Sequence, residues 1–180
     1  MSDINQYKTR DELLTIVPEQ SVFLEIGVFR GEFAKTIIKT INPKELYLVD
    51  IWTGKWGSGD KDGENYLSID NMENVYLGLY HQTKNKPNIH VIRSSSTLFL
   101  ESCEDDFFDA IYVDGDHEQQ AVYDDLVNSY KKIKSNGILM GHDYHHQIKV
   151  AVDQFCADFN QTISYITDDG CPTFLIYIKK

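Results

Sequence analysis

The chain has 180 residues, 42% of them hydrophobic and 12% aromatic, which suffices for the core of one domain and leaves little for a second. Its net charge of −11 and isoelectric point of about 4.8 argue against nucleic-acid or anionic-membrane surfaces, both of which need concentrated Lys and Arg. A small neutral or cationic partner suits this charge better. Cys103, Cys156 and Cys171 are far apart and in no C-x-x-C pattern, and neither a leader-like apolar segment nor a membrane-length apolar run occurs, so a reduced, soluble, cytoplasmic protein is expected.

Taken in order, Thr9 to Val17 carries Leu13, Leu14 and Ile16 at helical spacing before Pro18, so residues 1–18 read as an N-terminal cap helix packed across the first strand. Ser21 to Ile26 is a short apolar strand, and Glu32 to Asn42 places Phe33, Ala34, Ile37, Ile38 and Ile41 on one helical face. Between them lies Glu25-x-Gly27-x-x-x-Gly31. Such a βα junction stands at the carboxyl end of a parallel strand, where open α/β sheets bind ligands. It is neither the G-x-G-x-x-G of dinucleotide sites nor a P-loop. A carboxylate at the strand tip repels phosphate and suits a cationic amine.

Asn42-Pro43 ends the helix, and Glu45 to Asp50 forms a second strand closing in an acid. Asp50 follows the glycine loop by about twenty residues, the place from which an acid accepts ribose hydroxyls in nucleoside-binding folds. Ile51 and Trp52 are then set to cover an adenine face. Residues 52–68 lack periodicity and read as a lid loop with Trp56 and Tyr66 as aromatic surface. Ile69 to Thr83 is helical, Asn88 to Arg93 is a third strand holding His90 within the sheet, and Ser94 to Ser96 precede a helix from Thr97 to Glu101 that they are suited to cap.

A fourth strand ends at Asp114, and Gly115-Asp116-His117 opens a helix from Glu118 to Ile133. Ser135-Asn136-Gly137 turns into a fifth strand, Ile138 to Met140, which ends in Gly141-His142-Asp143-Tyr144. Strands four and five therefore deliver carboxylates to one edge. A helix within residues 145–160 and two strands, Ile163 to Ile166 and Phe174 to Ile178, complete the chain as an antiparallel hairpin. This alternation predicts an α/β, doubly wound, mostly parallel seven-stranded sheet with a C-terminal antiparallel hairpin, in one domain over 1–180.

Four stretches carry a resemblance: Glu25-x-Gly27-x-x-x-Gly31, Asp50, Phe108-Asp109 through Asp114-Gly115-Asp116-His117, and Asn136-Gly137-Ile138 leading to Gly141-His142-Asp143-Tyr144. Together they resemble the class I S-adenosylmethionine-dependent methyltransferases, in particular a small-molecule branch similar to the antibiotic-sugar and catechol O-methyltransferases, over nearly the whole chain. The resemblance implies a Rossmann-like fold and S-adenosylmethionine bound by Glu25, Gly27, Gly31, Asp50, Ile51, Ser95 and Asp114, with the N-terminal helix capping the cofactor. For Ser95, adenine contact and helix capping both stand as readings, and residue type favours capping.

The resemblance further implies a divalent cation, magnesium or manganese, at Asp114 and at the pair His142 and Asp143. A hydroxyl is a poor nucleophile at neutral pH, and a bound cation orients it and lowers its pKa. His142 departs from the pattern, since relatives commonly carry an acid there, and an imidazole shifts preference toward manganese, iron or zinc. His117 falls where relatives place a general base, with Asp116 as the runner-up. The expected activity is metal-assisted O-methylation of a small molecule or sugar. A metal-independent methyltransferase and a non-catalytic nucleoside-binding homologue are the alternatives, and a nicotinamide oxidoreductase is disfavoured by the missing phosphate-cradling glycines.

Overall fold

The computed structural model describes residue 4, residues 6–53 and residues 69–180. Most of the expected lid, including Trp56 and Tyr66, lies outside these described residues. Seven strands form one sheet in the order β3-β2-β1-β4-β5-β7-β6. The strands are β1 (Val22–Ile26), β2 (Glu45–Asp50), β3 (Ile89–Arg93), β4 (Phe108–Val113), β5 (Ile133–Gly141), β6 (Ile163–Ile166) and β7 (Phe174–Tyr177). The first five pair in parallel, while β7 pairs antiparallel with both β5 and β6. The chain begins mid-sheet at β1, steps outward to β3, then returns to β4 on β1's other side. The carboxyl ends of β1 and β4 thus flank the topological switch point, where this architecture opens its ligand crevice.

The described residues form six helices, α1 (Arg10–Leu14), α2 (Glu32–Ile41), α3 (Ile69–Thr83), α4 (Ser96–Ser102), α5 (Gln119–Lys132) and α6 (His146–Asp158). Side chains alternate across a pleated strand, so β4 sends Ala110 and Tyr112 to one core and Ile111 and Val113 to the other. The first core joins Leu13 and Leu14 of α1, Phe33 and Ile37 of α2, and Met72 and Leu79 of α3. The second joins Leu100 of α4, Leu126 of α5 and Phe155 of α6. Both faces being covered explains why the central strands read as continuous apolar runs.

Two elements differ from expectation. Helix α1 is shorter than Thr9 to Val17, because after Leu14 the chain tightens into i→i+3 bonds, Ile16 N–H to Leu13 and Val17 N–H to Leu14, before Pro18. Strand β5 begins at Ile133 rather than Ile138. Its register with β4 jumps from Phe108 opposite Ile133 to Ala110 opposite Ile138, so the Ser135-Asn136-Gly137 turn survives as an irregularity inside the strand, with Asn136 at φ 64°.

Candidate active site at the carboxyl edge of β1, β4 and β5

Strand β1 holds a carboxyl group near its tip, buried among other charged side chains. Glu25 is 2% exposed, and among the described residues its Oε2 has no hydrogen-bond partner. Burial, and then the nearby charge of Asp114, pushes its pKa well above the ordinary carboxylate range, against the opposing pull of Arg10. Such a group is held at a cost that an arriving cation would offset. Gly27 follows at φ +84°, where a Cβ would stand 1.9 Å from the Asp114 carbonyl oxygen. Only a glycine lets the β1 loop lie this close to the β4 loop. Backbone bonds from Gly27 N–H to Val49 and from Asp114 N–H to Ile26 fasten the three strand ends together.

Asp50, at the end of β2, organises that loop. Its Oδ2 accepts the N–H groups of Val28 at 2.9 Å and Phe29 at 2.8 Å, and its Oδ1 accepts that of Trp52 at 2.9 Å. Trp52 is fully buried and donates its indole N–H to the Phe29 carbonyl, so it is a core residue and presents no face to an adenine. Ile51 beside it is 47% exposed and retains free apolar surface. Ser95 caps α4 by accepting the Leu98 N–H. Ser96 donates to Asp125 of α5, whose burial pushes its carboxyl up to about 6.

Strands β4 and β5 supply the second half. Single ligand atoms of Asp114, His142 and Asp143 all lie within 4.8 Å of one another. The His142 Nδ1 stands 3.3 Å from Asp143 Oδ2 and 3.6 Å from Asp114 Oδ1. Burial pushes the Asp114 carboxyl up to about 8 against the attraction of Arg10, with repulsion from Asp143 adding to the rise, while burial lowers the pKa of His142. Two carboxylates and an imidazole at this spacing have the donor set for a divalent cation. His117 approaches the same cluster, with Nε2 3.5 Å from Asp143 Oδ2. Asp116 is exposed and accepts the N–H of Glu118, which turns its carboxylate to the start of α5.

A family model described as a methyltransferase domain matches residues 24–144. The chain belongs to that methyltransferase family. With the seven-stranded fold, this makes it a class I S-adenosylmethionine-dependent methyltransferase. Among solved structures, the N-methyltransferase NodS from Bradyrhizobium japonicum WM9 is 15% identical with a TM-score of 0.64, covering 95% of each chain. The O-methyltransferase NovP is 20% identical with a TM-score of 0.68, covering 95% of this chain and 80% of its own. NodS in complex with S-adenosylhomocysteine is similar at 14% identity and a TM-score of 0.64, over 95% of this chain and 86% of the other. No curated protein sequence matches the chain.

In this methyltransferase the fold brings Glu25, Gly27, Asp50 and Asp114 to adjoining strand ends, with His117, His142 and Asp143 near Asp114; Gly31 starts α2 at φ +73° and Ser95 starts α4. Three residues of the site were not anticipated from sequence, and all lie outside the matched segment. Arg10 of α1 reaches in with its guanidinium 4.6 Å above the Phe33 ring centroid and Nη1 3.6 Å from Asp114 Oδ2. His145 and Cys171 form a second group with Asp143, the His145 Nε2 lying 3.4 Å from Asp143 Oδ1. The available signal for Arg10 was the placement of a capping helix ahead of β1. For Cys171 there was none, since only the β6–β7 hairpin carries it to β5.

Proposed function

We propose that the protein methylates a hydroxyl group of a small molecule or sugar, using S-adenosylmethionine and a divalent cation held by Asp114, His142 and Asp143. The observation that carries this reading is the juxtaposition of two features: a buried, unpartnered Glu25 carboxyl, and a cation-ready cluster within 4.8 Å at the adjoining strand ends. The first suits the ammonium of the cofactor's methionine end. The second favours a hydroxyl over an amine, because an amine is nucleophilic without such help. NovP, a similar fold, is an O-methyltransferase.

When bound, S-adenosylmethionine supplies a methyl group on a sulfonium centre, and the cation supplies the positive charge that lowers the acceptor's pKa. The chain's residues do the rest. Glu25 accepts the ammonium; Asp50 receives ribose hydroxyls; Ile51 and the turn at Ser95 border the adenine; Gly27 and Gly31 shape the loop around these contacts. His117 takes the acceptor's proton. Its position beside Asp143 supports this role over Asp116, which is engaged with the start of α5.

Calorimetric titration tests the reading. S-adenosylhomocysteine should bind the wild type and NAD should not, since the loop presents a carboxylate where a pyrophosphate would sit. Manganese should bind as well, and Asp143→Ala should lose manganese while retaining S-adenosylhomocysteine. Equal affinity for NAD would remove the cofactor assignment, and undiminished manganese binding by Asp143→Ala would remove the cation site.

A further inference from the structure

Arg10 lies near two carboxyl groups, those of Asp114 and Glu25, that the proposed reaction needs for other purposes. Its Nη1 is 3.6 Å from Oδ2 of Asp114, while Oδ1 of the same group faces His142 at 3.6 Å. The guanidinium is therefore near enough to attract Asp114 but beyond hydrogen-bond distance. A cation settling on Asp114 would meet a positive charge already leaning on the outer oxygen. Glu25 adjoins the same pair, its carboxyl feeling both Arg10 and Asp114, and it is almost fully buried with Oε2 unpartnered. Among the described residues, Glu25 Oε2 thus has no hydrogen-bond partner, and Arg10 has no carboxylate within hydrogen-bond distance.

The methionine end of the cofactor carries both complements, an ammonium and a carboxylate. A guanidinium binds a carboxylate in paired, parallel hydrogen bonds, a geometry that the 3.6 Å contact with Asp114 does not provide. Stacking on Phe33 holds the guanidinium plane, and its edge faces the Tyr112 hydroxyl and Asp114, neither of which gives it the paired bonds of a bidentate carboxylate. Helix α1 is fixed for this task. Thr9 caps it, Leu13 and Leu14 are buried, and the preceding segment is tied to the β6 end by Asp168 N–H to Tyr7 and Lys8 to Asp168.

We propose that Arg10 is shared between the two sites: it takes the cofactor's carboxylate and, in turning to it, releases Asp114 to the divalent cation. Cofactor and cation then bind with positive coupling, each raising the other's affinity by the same factor. This rests on the cofactor and cation assignments above and adds the link between them.

The experiment compares S-adenosylhomocysteine with 5′-methylthioadenosine, which keeps the adenosine and thioether but lacks the amino-acid end. Free manganese is followed by electron paramagnetic resonance and nucleoside binding by calorimetry. In the wild type, S-adenosylhomocysteine should tighten manganese about 5–150-fold, the usual span of such couplings, and 5′-methylthioadenosine should leave it unchanged. Arg10→Ala should bind manganese more tightly than wild type without any nucleoside, lose the coupling, and bind S-adenosylhomocysteine about tenfold or more weakly. Its affinity for 5′-methylthioadenosine should be unaltered, which also shows the fold intact; Arg10→Lys should recover part of the coupling.

Equal losses for the two nucleosides would make Arg10 a structural residue and overturn the proposal, as would coupling that survives Arg10→Ala. A wild type that binds both nucleosides but no manganese overturns the cation assignment and the coupling together. Failure to bind either nucleoside instead overturns the cofactor assignment on which both stand.

Discussion

The Asp50 carboxylate already accepts three backbone N–H groups, from Val28, Phe29 and Trp52. A carboxylate has about four acceptor positions, and the described residues fill three, so the fourth is the one that the proposed ribose contact would use. The same side chain therefore shapes the glycine loop and, in the proposed function, would also meet the cofactor's ribose. Asp50→Ala should lower ligand-free stability by at least the about 1.5–3 kcal/mol of one charge-assisted hydrogen bond, a fall of roughly 3–12 °C in Tm, and weaken S-adenosylhomocysteine about tenfold or more. A melting curve without ligand separates the two tasks: if Tm is unchanged while affinity falls, the amide bonds do not order the loop. Asp50, Asp114 and Asp143 were legible in sequence because each follows an apolar strand whose end is itself visible. Arg10 was not, because an Arg beside Asp11 and Glu12 on a short helix looks like ordinary solvated surface, and its partners Phe33 and Asp114 are brought to it only by the folded sheet.

Whole elements were read from sequence most accurately where periodicity and punctuation agree. The bounds of β2 and α3 match, because Pro43 and Asp50 bracket one and apolar residues recur through the other. Strand β5 was read short because Ser-Asn-Gly is a turn signal, and the structure accommodates it as an irregularity once β4 supplies a partner on the far side. Trp52 was assigned to ligand contact because local sequence cannot distinguish a tryptophan folded back beneath a loop from one facing the crevice; the Phe29 carbonyl decides it.

Two glycines expose the difference between a loop and a helix. Gly27→Ala adds a Cβ 1.9 Å from the Asp114 carbonyl, at a φ of +84° that itself costs about 1–3 kcal/mol. It should separate the β1 and β4 loops, with a marked fall in Tm and loss of S-adenosylhomocysteine binding. Gly78 sits within α3 with nothing within 4 Å of its Cβ position, so Gly78→Ala should stabilise by about 0.5–1 kcal/mol and leave binding alone. Matching losses from both variants would contradict the proposed contact between the loops.

For the molecule as a whole, the buried carboxyl groups set how stability responds to pH. Glu25 and Asp125 both have pKa values raised by burial, Asp125 to about 6 from an ordinary value of 3.8. Between those two values the folded chain keeps a proton on Asp125 that the unfolded chain has lost. Stability therefore falls as pH rises from about 4 through about 6, and Glu25 extends the fall in the same direction. The surface pairs act oppositely: Asp153, lowered by Lys149 and Tyr144 against its desolvation, contributes stability that is lost as pH drops below its ordinary range. The ligand-free protein should accordingly be most stable on the acidic side of neutrality, where the self-repulsion of its −11 net charge is also reduced. Asp125→Asn keeps the shape and a partner for Ser96 but cannot ionise. Near pH 3 it should match wild type, and at pH 7 it should be more stable by up to about 3 kcal/mol, the equivalent of roughly two pKa units. Urea unfolding midpoints from pH 3 to pH 8 measure this, and an offset between variant and wild type that is the same at every pH would show that Asp125 ionises in the folded protein as it does in the unfolded one.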